Sequence, residues 1–172
     1  MQPADVRMTP LQIATPVSAL LSPALVLPDL AARTKSDVIE ALAAHVGATQ
    51  PHVDGRQLAD ALHAREDVSS TALEHGVAIP HVRVPALPAP LAVLARCPAG
   101  VAFGAADETP TRLFLLLVVA AEQPGGHLRL LASAARLLSD AGCRARLLEA
   151  GTAHELLDVL HAHEQRSGRR AA

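Results

Sequence analysis

The run Leu113-Phe-Leu-Leu-Leu-Val-Val-Ala120 decides how this chain folds. It is far shorter than the ~20 apolar residues that a membrane helix needs. It is also too uniformly apolar for a strand with one wet face, so it reads as a strand buried on both sides beneath covering helices. Directly after it, Gln123-Pro124-Gly125-Gly126 breaks the chain, and a helix starts at His127 with Leu128, Leu131, Ala135 and Leu138 on one stripe. Upstream, Val77–Ile79 is a short apolar strand closed by Pro80, which fixes its own φ and cannot donate to a ladder. Leu91–Arg96 alternates weakly, and Val101–Phe103 adds an edge piece.

Further out the pattern turns helical. Val17–Ser22 suits one helical turn and Leu25–Leu27 a short strand. Thr34 with Asp37 makes a capping box for a helix whose Val38, Ile39, Leu42 and Val46 share a face, with Gly47 as its end. Asp54 caps a second helix that turns Leu58, Ala61 and Leu62 inward. Arg144, Leu147 and Leu148 belong to a shorter helix ending at Gly151, and Thr152 with Glu155 boxes the start of a last one reaching about His163. Residues 1–16 read as a loose leader and 164–172 as a frayed tail, leaving one domain over 17–163. Interleaved helices and strands give an α/β (α+β) class, a mixed sheet covered by helices.

Composition narrows the function. The 172 residues include nine His but only two Phe and no Tyr or Trp, with a formal net charge of −2. Without aromatic platforms or a basic excess, nucleic-acid binding is excluded, as is a sugar face built on Trp and Tyr. Cys97 and Cys143 form no C-x-x-C pair and have no zinc-ligand spacing, so they read as reduced, buried thiols. With the apolar N-terminal stretch interrupted by Pro16 and Pro23, the chain reads as a cytoplasmic protein without membrane insertion.

The most informative stretch for chemistry is Gly76-Val-Ala-Ile-Pro-His81. It delivers His81 to the carboxyl end of a strand, where open sheets place ligands, and the proline limits where the ring can point. A nucleophilic imidazole needs that control, because one nitrogen attacks while an acceptor holds the other. His127 opens a helix after Gly125 and Gly126, a place suited to an anion. Arg65 puts a guanidinium upstream of Ser69-Ser70-Thr71, groups that suit a phosphate. Solvated histidines and a surface arginine remain alternatives on spacing alone. A zinc site from His75, His81 and His127 is the rival, weakened by Gly76 and Pro80, which disturb the strand alternation it needs. His161 and His163 do not share a helix face, and His45, His52, His63 and His154 have no partner pattern.

The run Arg65-Glu-Asp-Val-Ser-Ser-Thr-Ala-Leu-Glu-His-Gly-Val-Ala-Ile-Pro-His81 resembles the phosphorylation-site signature of the fructose/mannitol-type (type 2) enzyme IIA domain of the phosphoenolpyruvate-dependent phosphotransferase system. Asp107-Glu-Thr-Pro-Thr-Arg-Leu-Phe-Leu-Leu-Leu117 and the run from His127 to Leu138 resemble the same family, so the likeness spans roughly residues 17 to 163. The resemblance implies a mixed, roughly five-stranded sheet with helices on both faces. It implies that His81 accepts a phosphoryl group on a ring nitrogen, as a tele-phosphohistidine, from the phosphocarrier HPr or its nitrogen-system counterpart. His127 and Arg65 match positions that assist there, with Ser70, Thr71, Gly125 and Gly126 in the phosphate environment. No metal or organic cofactor is implied.

Ala72 and Glu74 stand where the family usually has glycines, and Val82 where a small residue is usual, so the loop and the space around the phosphate are expected to differ. With no enzyme IIB or IIC accompanying it, the chain resembles the nitrogen-regulatory enzyme IIA most, in which phosphorylation changes what is bound. Passing phosphate to a separate enzyme IIB in sugar transport is the alternative. A zinc-binding or unphosphorylated interaction module is the second.

Overall fold

The computed structural model describes residues 16–122 and 124–171; the leader expected over 1–16 lies, but for Pro16, outside them, as does Gln123. Short 3-10 turns at Val17–Leu20 and Pro23–Leu25 lead into β1 (Val26–Leu27). Then come α1 (Lys35–Thr49), α2 (Gly55–Val68), β2 (Ala72–Leu73), β3 (Val77–Ala78), β4 (His81–Val84), β5 (Leu91–Val101) and β6 (Thr111–Ala120). Three helices finish the described chain: α3 (Pro124–Ser139), α4 (Ala141–Glu149) and α5 (Ala153–Ala171).

β6 contains the run from Leu113 to Ala120, and it is the centre of a six-stranded mixed sheet. β5 pairs antiparallel along one side of it, while β3 and β4 pair parallel along the other. Val77 lies opposite Leu113 and His81 opposite Leu117, the same offset. β3 and β4 are therefore one strand interrupted at Ile79-Pro80, where the ladder loses a donor. The six strands occupy five positions across the sheet, with β1 beyond β5 and β2 beyond β3, so the five-stranded expectation holds in width.

Alternation along β6 divides the core into two. Phe114, Leu116 and Val118 join Val38, Ile39, Leu42, Leu58 and Leu62 from α1 and α2. Leu113, Leu115 and Leu117 join Leu130, Leu138, Leu147 and Leu160 from α3, α4 and α5 on the opposite face. The result is a three-layer α/β/α arrangement.

Several expected boundaries move. Gly47 lies inside α1 rather than ending it, because its bare Cα meets α2: a Cβ there would stand 2.9 Å from Gly55 Cα. Val101 continues β5 past an irregularity after Arg96, and Phe103 follows the strand. α3 starts at Pro124, so Gly125 and Gly126 fall within its first turn rather than before it. Its buried stripe is Leu130, Ala134, Leu137 and Leu138, and Leu128 faces outward at 70% exposure. α5 does not stop near His163; it continues helically to Ala171. That extension has a function in packing: Glu164 accepts hydrogen bonds from the backbone N–H of Val17 and from Ser18 through both its N–H and its hydroxyl.

Candidate functional site

α2 ends with Arg65 and Glu66 just before the Ser69–Thr71 loop, and each fixes part of the site. Glu66 is buried and accepts from Thr71 N–H at 3.0 and 3.1 Å, from Thr71 Oγ1 at 2.6 Å and from Lys35 Nζ at 3.1 Å. A buried carboxylate so fully hydrogen-bonded ties the loop to α1 and α2. The chain then turns through His75 and Gly76, both left-handed with φ of 66° and 74°. A Cβ on Gly76 would stand 3.0 Å from Pro110 O, so glycine suits both the dihedral and the close approach. Ala72 and Glu74 have ordinary φ values, since the left-handed turn falls on the next two residues instead.

Beyond that turn, Pro80 delivers His81 not to the end of a strand but to the first residue of β4. Arg65 Nε–H donates to His81 Nε2 at 3.2 Å, and Arg65 Nη1 donates to the Ser69 carbonyl at 2.9 Å. On the other side of the ring, His81 Nδ1 lies 2.8 Å from the Ile79 carbonyl oxygen. A carbonyl only accepts, so Nδ1 carries the proton and Nε2 presents its lone pair beneath Arg65. Burial holds the ring's pKa below the ordinary histidine value; the Ile79 hydrogen bond and Glu66 oppose the shift, while Arg65 and Arg83 reinforce it.

His127, in the first turn of α3, brings a second imidazole to 5.4 Å from the first, centroid to centroid, tilted by 52°. Its pKa is lowered by burial first and then by His81, Arg83 and Arg65. Its Nδ1 is buried without a hydrogen-bond partner among the described residues. The site therefore joins two imidazoles held toward neutrality, one with an anchored Nδ1 and an unprotonated Nε2 facing Arg65, to a guanidinium and the positive end of α3. That set suits a nucleophile meeting an anionic group.

Of the other expected residues, Gly125 and Gly126 are exposed in the first turn of α3, and a Cβ on either would meet nothing within 4 Å. Ser70 and Thr71 are differently engaged. Ser70 Oγ donates to Phe103 O at 3.0 Å and accepts from Ala72 N–H, while the Thr71 hydroxyl is bound to Glu66. They shape the loop, and among the described contacts neither hydroxyl bonds to His81 or His127. Val82 does not crowd the site, because strand alternation turns it into the core on the α1–α2 side. Glu74 points outward with its side chain 67% exposed.

Two groups that act on these rings are not evident from the sequence. One is the Ile79 carbonyl, whose direction no residue type encodes. The other is Arg83, which its spacing of two from His81 on a strand could have revealed. The rival three-histidine zinc set is not assembled: among the described residues no three His, Cys, Asp or Glu are grouped to hold a metal. No described helix is long and apolar enough to cross a membrane.

Comparison with known proteins places the chain in a family and agrees with its fold. Residues 19–163 match the family described as "Phosphoenolpyruvate-dependent sugar phosphotransferase system, EIIA 2". A nitrogen regulatory protein of Pseudomonas aeruginosa is 33% identical over 141 residues, covering 82% of this chain and 92% of that one. A fructose-specific EIIA component of Haloferax volcanii is 36% identical over 109 residues, covering 63% of this chain and 71% of that one. The crystal structure of the nitrogen regulatory protein IIA-Ntr from Neisseria meningitidis superposes with a TM-score of 0.78 at 26% identity, covering 84% of this chain and 98% of that one. With its two-layered core, its sheet and its matched span in agreement, this chain belongs to the type 2 EIIA family of the phosphoenolpyruvate-dependent phosphotransferase system.

Proposed function

We propose that the protein accepts a phosphoryl group on His81 Nε2 from an HPr-type phosphocarrier and acts mainly as a regulator through its phosphorylation state. The observation that carries this reading is the polarisation of one ring: Nδ1–H committed to the Ile79 carbonyl, Nε2 with its lone pair under Arg65. The lone pair forms the new N–P bond while the donor's N–P bond breaks and its electron pair returns to the donor nitrogen. The proton stays on His81 Nδ1, donated to the Ile79 carbonyl throughout, so no proton has to cross the site. Arg65 offsets charge on the equatorial oxygens and His127 donates a hydrogen bond to one of them, and such positioning and charge compensation are most of what phosphoryl transfer asks of a protein. The reading requires neither metal nor organic cofactor.

The added group brings roughly −1.5 to −2 charges to the surface beside α2 and α3, enough to change which protein surfaces are tolerated there. Likeness to nitrogen regulatory proteins over nearly their whole length supports the regulatory role. The fructose-specific relative supports a second reading, passage of the group to an enzyme IIB in sugar transport.

Intact-mass measurement under alkaline conditions, which preserve phosphohistidine, tests the assignment. Wild type incubated with a phosphorylated HPr-type carrier gains one phosphoryl mass, His81→Ala gains none, and His127→Ala gains it more slowly. Label on His81→Ala would place the acceptor elsewhere. Rapid loss of the label to an enzyme IIB would favour transport, and phosphorylation-dependent capture of a target protein would favour regulation.

A further inference from the structure

Strand β4 brings a second cation near the site, two residues beyond His81. Along β4, Val82 and Val84 turn toward the α1–α2 core, so His81 and Arg83 project from the other face, over Leu117 and Val119 and toward α3. Two residues along a strand separate their Cα atoms by about 6.6 Å, well within the reach of an arginine side chain. Arg65, Arg96 and Arg144 use their guanidinium groups on backbone carbonyls. That of Arg83 is exposed and makes no hydrogen bond or ion pair among the described residues. Its charge nonetheless acts on both imidazoles.

Charge counting gives Arg83 something to do. Before transfer, Arg65 Nε–H is occupied by the Nε2 lone pair of His81. Once that pair is in an N–P bond, Arg65 has a donor for one phosphoryl oxygen, but a single guanidinium leaves up to one further negative charge uncompensated. We propose that Arg83 is a second phosphoryl-binding residue, reaching along β4 to the oxygens that Arg65 does not hold and stabilising the phosphorylated form of the protein. This rests on His81 being the acceptor. The two arginines hold the group from α2 and from β4, and His127 approaches it from α3.

Phosphoramidate, a small donor to imidazoles, makes the test independent of any partner protein. Its P–N bond breaks with release of ammonia as the His81 Nε2–P bond forms. The phosphoryl group on His81 is then titrated by phosphorus-31 NMR in wild type, Arg83→Gln and Arg83→Lys, with His81→Ala identifying its resonance. Removing a cation at this distance raises the pH at which the phosphoryl group takes up its proton by about 0.5 to 1 unit, and Arg83→Lys restores most of the difference. Faster loss of the label to water accompanies the shift in Arg83→Gln. Because Arg83 is exposed, its variants keep the wild-type unfolding midpoint, which separates this effect from a structural one. A titration and label lifetime unchanged in Arg83→Gln would overturn the proposal for Arg83 alone. A resonance that survives in His81→Ala would overturn the acceptor assignment beneath it.

Discussion

A histidine that is to receive a phosphoryl group must be neutral, and its surroundings decide whether it is. His81 is pushed that way by burial and by Arg65 and Arg83. His127 is pushed the same way by burial, by His81 and by the two arginines. Both rings thus bind protons less readily folded than unfolded. The sign of the linkage follows: their contribution to stability is complete above the unfolded value of about 6.5 and is lost as the pH falls through the lower folded values. Proton–nitrogen NMR titration is expected to show His81 changing charge only below about 6.5, and acceptance of phosphate to persist down to the same point. A midpoint at or above that value would contradict the burial argument. At this scale the sequence was informative where a rigid backbone announces a role, as Pro80 does for His81. It was uninformative where a carbonyl direction or a neighbour across the fold decides, as for Ile79 and the Thr71 hydroxyl held by Glu66.

At the scale of elements, glycine is the ambiguous letter. Gly47 carries the same signature as a helix-ending residue, yet it lies within α1 because α2 crosses it there. A Cβ on Gly47 would stand 2.9 Å from Gly55 Cα, and one on Gly55 3.0 Å from Ala43 O, so the two helices meet backbone to backbone. Gly47→Ala gains up to about 1 kcal/mol of helix propensity but loses about 1–3 kcal/mol to overpacking. Urea denaturation is expected to show net destabilisation; an unchanged or raised midpoint would mean that the helices separate at no cost. Because α2 carries Arg65 and Glu66, the same variant is expected to weaken phosphorylation. The capping boxes at Thr34 and Thr152 were legible because their chemistry is local, with partners three residues apart. The start of α3 was not: two glycines read as a break, although the helix includes them.

Over the whole molecule, the doubly buried run at Leu113–Ala120 correctly implied a sheet covered on both faces, and the helical patterns on either side of it in the chain supply the cover. What it could not show is how the first 3-10 turn is tied to the last helix. Polar residues near the C-terminus read as a frayed tail, but Glu164 on α5 binds the first 3-10 turn through Val17 and Ser18, 147 residues away in sequence. Glu164→Ala is expected to cost about 1–3 kcal/mol and to speed hydrogen exchange at those two amides; unaltered exchange would show that the clamp is dispensable. The proposed function turns on the orientation of one imidazole in a phosphotransferase-system family. Nitrogen-15 NMR of the His81 ring, before and after phosphorylation, tests it most directly. Nδ1 is expected to be protonated in both states, with phosphorus coupling at Nε2 alone; phosphorus on Nδ1, or on another residue, would contradict that orientation.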